Sequence, residues 1–383
     1  MIHVFSNSLG PDELKVIAEV FSSGWVGKGQ QCDELERELA AHLGVPRVLL
    51  TNSCTSAINI AVAALGIGPG DEVIVSTVNF VACASAVIAA GAVPVFADVD
   101  PRTLNIAPAE IERLKTPRTK AVILLHYGGH ACPMDEIRAA CGNDIAIIED
   151  SANAISSSYK GEMCGTMGAA GVFSFDAMKI LVMGDGGALV LDDEDAFERA
   201  RSCRYLGLSG HSRSGFQSMT ETKQRRWWEY DLDTVSGRFI SNDVMAAIGR
   251  VQLTKLPELI ARRERIWNRY QSELADVAGL TRPLKPDPHS TSSYYLYWIQ
   301  TPAGRDELAT YLAENGVYST FRYYPLHLVK YFRAACRLPV AERLSETTLN
   351  LPLHQNLTDD DVEKIVDLTK RFLRTRSRAG VRA

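Results

Sequence analysis

The chain has 383 residues, enough for two packed cores, and its 46% hydrophobic and 23% charged content is that of a soluble globular protein. A net charge of -5 leaves no electrostatic footprint for nucleic acid or an anionic membrane. Eight cysteines, at 32, 54, 83, 132, 141, 164, 203 and 336, form no CxxC pair or metal-ligand spacing. No apolar run reaches the roughly 18 residues of a membrane span and the amino terminus has no leader pattern, so a cytoplasmic protein without a metal site is expected.

In chain order, the first feature is Ser22-Ser23-Gly24-Trp25-Val26-Gly27-Lys28-Gly29, too rich in glycine for a regular element. It reads as a shaped loop, or as a plain linker with Trp25 tucked into the core. Asp33 opens a helix with Leu35, Leu39 and Leu43 on one face, stopped by Gly44. From Val45 onward, short apolar runs alternate with helical patterns at the rhythm of parallel strands and crossover helices. Strands are expected over Val48 to Thr51, Glu72 to Ser76, Pro94 to Asp98, Ala121 to His126 and Ile145 to Glu149. Helices fall near Thr55 to Leu65, Val81 to Ala90, Ala109 to Leu114 and Met134 to Cys141. In such a sheet, ligands collect outside the carboxyl ends of the strands.

Three strand ends carry suitable groups. Asn52-Ser53-Cys54-Thr55-Ser56-Ala57 opens a helix with small polar residues, where free N–H groups and the helix dipole favour a phosphate; an N-capped helix without a ligand is the alternative. Thr77-Val78-Asn79-Phe80 brings an aromatic ring that either stacks on a ligand or belongs to the core. His126, before Tyr127-Gly128-Gly129, either lines a site or is a satisfied core histidine.

The stretch from Ile147 to Gly187 is the centre of the reading. An apolar strand ends in Glu149-Asp150, and a small polar turn, Ser151-Ala152-Asn153-Ala154, leads to a glycine-punctuated hairpin region. Val172-Phe173-Ser174-Phe175-Asp176-Ala177-Met178-Lys179 follows, closed by Gly184-Asp185-Gly186-Gly187. A carboxylate at a buried strand end and a lysine among apolar residues suit pyridoxal phosphate. That cofactor needs an amine to bind its aldehyde and an anion to keep its ring nitrogen protonated. Lys179 and Asp150 are the candidates, with Ser174 placing a hydroxyl on the phosphate. Phe173, Phe175, Met178, Ile180 and Leu181 are expected to lower the Lys179 pKa by desolvation. Taken singly, Asp150 could cap a turn and Lys179 could sit on a surface hairpin; the ordered set argues against both.

Ala188 to Leu191 reads as a strand and Glu194 to Tyr205 as a helix. Leu208 to Tyr230 carries Arg225-Arg226-Trp227-Trp228 without a regular pattern and reads as a binding loop or a solvated connection. Gly237 to Asp243 precedes a helix over Val244 to Leu256, and a helical stretch from Pro257 to Ala275 should link two domains. A smaller α/β unit follows: strand Tyr294 to Gln300, helix Arg305 to Glu314, strand Val317 to Phe321, and a last helix from near Thr358. The basic tail, Lys370 to Arg382, is expected to fray. The division is a large domain over 12–256 and a small one over 257–383, with 1–11 packing on the latter.

Glu149-Asp150-Ser151-Ala152-Asn153-Ala154, the Phe173-Ser174-Phe175 triplet, Lys179, the Gly184 to Gly187 turn, Tyr324-Pro325-Leu326-His327 and Leu351-Pro352-Leu353-His354 together resemble the DegT/DnrJ/EryC1/StrS family of nucleotide-sugar aminotransferases. The resemblance implies the fold-type I α/β architecture of pyridoxal phosphate enzymes, a large mixed, mostly parallel sheet domain with a smaller carboxyl-terminal α/β domain. It implies that Lys179 carries pyridoxal 5'-phosphate covalently, that Asp150 pairs with the pyridine nitrogen and that Ser174, Cys54 and Thr55 bind phosphate. Cys54 stands where the family's Ser-Gly-Thr cradle has glycine. Phe80 takes the place of an aromatic stacked on the ring. Asn153 replaces a His or Gln beside the phenolic oxygen. Arg238 falls at an asparagine of a segment that reaches the neighbouring subunit's phosphate, implying a homodimer with shared sites. The Ser22 to Gly29 loop corresponds to a loop at the substrate entrance.

The reaction so implied moves an amino group from L-glutamate, leaving 2-oxoglutarate, to a keto group of a nucleotide-linked hexose. Amination at C-4 is preferred because position 153 is not Gln, and a dTDP-4-keto-6-deoxy sugar is what prevalence within the family implies. A C-3 aminotransferase, or a binding or regulatory protein that keeps the fold without the cofactor, are the alternatives. A dehydratase branch of the family has His where Lys179 stands.

Overall fold

The computed structural model describes residues 1–209, 230–301 and 303–380, with the backbone alone for 376–380. The sequence from Val45 to Leu191 builds a seven-stranded sheet in the order β1-β9-β8-β5-β4-β2-β3. The strands are β1 (Leu49–Thr51), β2 (Glu72–Ser76), β3 (Val93–Ala97), β4 (Thr119–Leu125), β5 (Ala146–Asp150), β8 (Ala170–Ser174) and β9 (Gly187–Leu191). The pairs from β8 through β5, β4 and β2 to β3 are parallel, and β9 runs against both of its neighbours. A small hairpin, β6 (Ser158–Tyr159) with β7 (Glu162–Met163), interrupts the path from β5 to β8.

Period-two alternation sorts the central strands between two cores. Val73 and Val75, Ala121, Ile123 and Leu125, and Ile148 pack in one. Ile74, Val122, Leu124 and Ile147 pack in the other. The first core takes α2 (Gln30–Leu43), α3 (Cys54–Ala64) and α4 (Ala82–Ala89); the second takes residues of α5 (Pro108–Leu114) and α6 (Met134–Cys141). Both faces of the sheet are therefore covered, as buried parallel strands require. Leu35, Leu39 and Leu43 are buried along α2, and Gly44 ends it in the left-handed region at φ 70°.

Two further helices are α1 (Pro11–Ser22) and α7 (Glu194–Arg204), the latter packed on α3 and β9. The helices expected on either side of Pro257 are one, α8 (Asp243–Glu273), so the expected boundary at 256/257 falls inside a continuous helix. Pro257 lies on its exposed side, where the carbonyl freed by the missing N–H can meet water. The far half of α8 enters a third core through Ile266, Trp267 and Tyr270, with β10 (Tyr297–Gln300), α9 (Arg305–Glu314), β11 (Thr348–Leu351) and α11 (Asp359–Gly380) around them. Between α9 and β11 lies α10 (Pro339–Thr347), which the sequence reading missed.

Three further expectations are corrected. Val317 to Phe321 is not a strand; Val317 and Thr320 form only isolated bridges, to Ile2 and Asn350. The basic tail expected to fray is helical in its described part, where α11 continues to Gly380 and Arg374 meets Asp276 at 3.4 Å. Trp25 is not tucked into the core: it is 55% exposed, its indole N–H donating to the Lys28 carbonyl. The amino-terminal segment does pack on the small unit, where Ile2 exchanges backbone hydrogen bonds with Gly316 and Tyr318. Residues Arg225, Arg226, Trp227 and Trp228 lie outside the described residues.

Candidate active site

The loops following β1, β2, β5 and β8 leave the sheet on one side and enclose a cavity of about 340 Å³. Of the residues singled out from sequence, Cys54, Thr55, Phe80, Asp150, Asn153, Ser174 and Lys179 all line it. Each arrives by a local rule. Ser53 caps α3 by accepting from the Ser56 N–H, which points the opening turn of the helix at the cavity. Gly187 lets β9 pass beneath that turn, because a Cβ there would stand 2.5 Å from the Cys54 nitrogen. Lys179 follows a tight turn in which its N–H bonds the Asp176 carbonyl and Asp176 Oδ1 accepts from Met178 N at 2.9 Å.

Lys179 is only 9% exposed, and its Nζ sits 4.9 Å from the centre of the Tyr295 ring. Burial by itself disfavours the ammonium. Tyr295, Tyr323 and Asp150 outweigh it, and the amine is held above its ordinary pKa. The expected lowering is thus corrected: Phe173, Phe175, Ile180 and Leu181 belong to the core, whereas groups that favour the cation surround the nitrogen.

Asp150 is 3% exposed, and burial raises its pKa against the smaller opposing pulls of the Ala152 N–H and Lys179. Its Oδ1 accepts from Ala152 N at 3.1 Å and its Oδ2 from the Cys83 thiol at 3.3 Å. The neighbouring carboxylate, Glu149, points to the opposite face. It accepts from the N–H groups of Gly165 at 2.8 Å and of Met167 and Gly168 at 2.6 Å, and meets His126 Nε2 at 2.9 Å.

His126 is fully buried in that second face and does not line the cavity, so it is the satisfied core histidine of the two readings. Burial opposes a charge on its ring, while Cys164 and Glu149 favour one and lift the pKa to about 10. The Cys132 N–H donating to Nδ1 at 3.0 Å nonetheless leaves room for one ring proton, on Nε2 and shared with Glu149.

Arg238 lies away from the cavity of its own chain, 5.8 Å from the Tyr205 ring. Sequence reasoning missed Tyr295, Tyr323 and Arg322, which reach the site from the small unit. Leu326 N donates to the Thr77 carbonyl at 2.8 Å and His327 Nδ1 meets Thr77 Oγ1 at 2.8 Å, latching residues 322–328 to the end of β2. The Tyr324-Pro325-Leu326-His327 motif was the available signal, because its flanking residues, Arg322 and Tyr323, line the cavity.

The arrangement fits an aromatic aldehyde phosphate. Both side-chain atoms of Asn153 and the Tyr295 hydroxyl are buried without a hydrogen-bond partner among the described residues. A buried anion faces a buried amine, and the N-terminal turn of α3 offers unpaired N–H groups beside the Ser174 hydroxyl.

Comparison with known proteins gives the same direction. The family model "DegT/DnrJ/EryC1/StrS aminotransferase family" matches residues 7–370. A Saccharopolyspora spinosa protein, "dTDP-4-dehydro-2,3,6-trideoxy-D-glucose 4-aminotransferase", is 46% identical over 96% of this chain and 95% of its own. The Bacillus subtilis (strain 168) "Spore coat polysaccharide biosynthesis protein SpsC" is 37% identical over 94% of each. Among solved structures, the aminotransferase TlmJ from Streptoalloteichus hindustanus superposes with a TM-score of 0.92 at 44% identity, covering 98% of this chain and 99% of that one. The PMP form of the putative sugar aminotransferase Spr1654 from Streptococcus pneumoniae gives 0.90 at 28%, covering 97% and 99%. This chain belongs to the DegT/DnrJ/EryC1/StrS aminotransferase family.

Proposed function

We propose that the chain is a pyridoxal phosphate-dependent aminotransferase that moves the amino group of L-glutamate to the C-4 keto group of a dTDP-linked deoxyhexose, releasing 2-oxoglutarate. The observation that carries this reading is the cavity in which buried Lys179 and Asp150 face each other beside the unpartnered Asn153 amide. The Saccharopolyspora relative, whose name specifies a dTDP-linked 4-keto sugar, supports the acceptor.

When bound, the cofactor supplies an aldehyde that takes up amino groups and a ring that accepts the electron pair released at the adjoining carbon. Lys179 Nζ would hold that aldehyde at rest and would be the base that removes the proton from the donor's α-carbon. The Asp150 carboxylate would keep the ring nitrogen protonated and gain there a cation in direct contact, whereas no ion pair among the described residues includes it. Asn153 donates its amide to the ring oxygen, and Phe80, tilted against Tyr323 at 6.0 Å, covers a ring face. Ser174 Oγ and the N–H groups of Cys54 and Thr55 hold the phosphate. With the keto sugar, Lys179 would return the proton to the sugar carbon that receives the nitrogen.

Arg238 serves the phosphate of a neighbouring copy in a homodimer with shared sites. Its position off its own cavity supports this. Mixing inactive Lys179→Ala and Arg238→Ala proteins should restore part of the activity if sites are shared, and none if each copy is self-sufficient. The reading also places the enzyme in the cytoplasm, in keeping with eight unpaired cysteines and with no described helix long and apolar enough to cross a membrane.

The deciding experiment incubates the enzyme with glutamate and a dTDP-4-keto-6-deoxyhexose and locates the new amine by NMR. An amine at C-4 is expected. An amine at C-3, or no transfer while a 3-keto sugar is consumed, would overturn the assignment.

A further inference from the structure

Lys179 Nζ is the base of the proposed reaction, so in mid-turnover it is an ammonium, and burial opposes that charge. No ion pair found among the described residues includes it. What lies against the nitrogen is a ring. Nζ sits over Tyr295, 4.9 Å from its centre, inside the roughly 6 Å at which a ring face attracts a cation.

The ring is held from three directions. Tyr295 is fully buried; its N–H donates to the Gly128 carbonyl at 3.0 Å, and Phe5 stacks on it with centroids 5.5 Å apart. Its carbonyl accepts from Arg263 Nη1 at 3.4 Å. Arg263, itself fully buried, also donates to the Tyr294 carbonyl at 3.3 Å, the Leu353 carbonyl at 3.0 Å and Gln355 Oε1 at 3.1 Å. That set contains no carboxylate, so the guanidinium acts as a clamp on backbone. The Tyr295 hydroxyl has no hydrogen-bond partner among the described residues and does not set the ring's place. Gly128 follows β4, Phe5 belongs to the amino-terminal segment and Arg263 to α8, so three distant parts of the chain fix one aromatic face under one nitrogen.

We propose that Tyr295 is a catalytic residue whose ring face seats the Lys179 ammonium while that group carries the proton between substrate carbons. This rests on the proposed reaction and adds the group that stabilises its base in the charged state. The C–H bond at the donor's α-carbon breaks, the proton forms a new N–H bond on Nζ, and the electron pair goes to the bound cofactor; the second half returns the proton. A ring face suits this relay better than a carboxylate, because it attracts the cation without offering the proton an acceptor.

The test compares wild type, Tyr295→Phe and Tyr295→Leu. In cofactor-free protein, limiting acetic anhydride at pH 8 labels only the neutral amine of Lys179, and mass spectrometry reads the rate. Without the ring the amine is neutral more often, so Tyr295→Leu should label about 2- to 30-fold faster, and Tyr295→Phe, which keeps the face, should lie much nearer wild type. In holoenzyme given glutamate alone, Tyr295→Leu should slow loss of the α-proton by a similar factor and raise the isotope effect with α-deuterated glutamate, with Tyr295→Phe recovering most of the rate. Should the Leu variant fail to fold, Tyr295→Met is read in its place. Labelling of the Leu variant at the wild-type rate, an unchanged isotope effect, or a Phe variant as impaired as Leu would each overturn the proposal, the last by giving the role to the hydroxyl. An enzyme whose α-proton removal depends on the ring but which aminates no keto sugar keeps this inference and sinks the acceptor assignment instead.

Discussion

Glu149 and Asp150 are adjacent, both carboxylates, both buried, and they do opposite things. Alternation along β5 sends Glu149 into the face with α5 and α6 and Asp150 into the face with α3 and α4. Glu149 meets three backbone N–H groups and an imidazole N–H, enough to occupy its acceptor sites. Asp150 has one backbone N–H and one thiol. A buried charge that is fully hydrogen-bonded holds structure together, here by fixing the 165–168 loop to the ends of β4 and β5. One left short of partners is stabilised only when a ligand brings the missing charge.

The largest effect follows from that asymmetry. Asp150→Asn should cut turnover about 10²- to 10³-fold, because an amide cannot keep a ring nitrogen cationic. The melting temperature of the cofactor-free protein should stay level or rise. If Asp150→Asn instead unfolded the cofactor-free protein, Asp150 would be as structural as Glu149 and the contrast would fail.

Glu149→Gln should do the reverse. Its amide would turn an N–H₂ toward backbone donors that need acceptors, at a cost of about 2–4 kcal/mol, or roughly 5–10 °C in melting temperature. Activity per folded molecule should stay within about threefold. A Glu149→Gln protein that melts with wild type but loses turnover would move Glu149 into the catalytic machinery.

The pH dependence sharpens the same comparison. Asp150 has a folded pKa above its ordinary 3.8, so the folded state holds this proton more tightly than the unfolded chain. The contribution of Asp150 to stability is therefore greatest below 3.8 and is lost as pH rises through the raised value. In cofactor-free protein the advantage of Asp150→Asn over wild type should be absent near pH 3.5 and grow as pH climbs through that window. Cofactor loading should cancel it. An advantage that shrank with rising pH would give the shift the wrong sign.

The sequence revealed one half of this contrast more readily than the other. Strand spans came within a residue or two for β1 to β5, because buried parallel strands write continuous apolar runs bounded by turn residues. Lys179, Asp150 and Ser174 were legible because their residue types and order are what the cofactor demands. Partners that depend on the fold were not. Nothing near Glu149 announces that the loop at Gly165 to Gly168 will return to it, and the aromatic run around Tyr295 reads as a strand, not as a floor under a lysine. Pro257 misled because its ring sits on the outer side of a helix that packing on both ends sustains.

The smallest expected effect concerns the thiol that is the second of Asp150's two hydrogen-bond partners. Cys83 Sγ lies 3.3 Å from Asp150 Oδ2 and receives the Asn79 amide at 3.2 Å, so the chain Asn79 to Cys83 to Asp150 passes a weak polarisation onto the carboxylate. A thiol is a poor donor, and burial pushes its pKa well up, so it donates its proton without surrendering it. Cys83→Ala removes the donor and leaves Asp150 with the Ala152 N–H alone, which favours the protonated acid still further. The pH at which cofactor-free protein loses stability should move upward, and turnover should fall by about two- to fivefold, the scale of one weak neutral hydrogen bond. Cys83→Ser offers a stronger donor on a shorter bond and should lie between wild type and alanine. If alanine and wild type shared one stability profile, the thiol would be packing alone. Asp150 would then stand with a single partner, which widens its distance from Glu149.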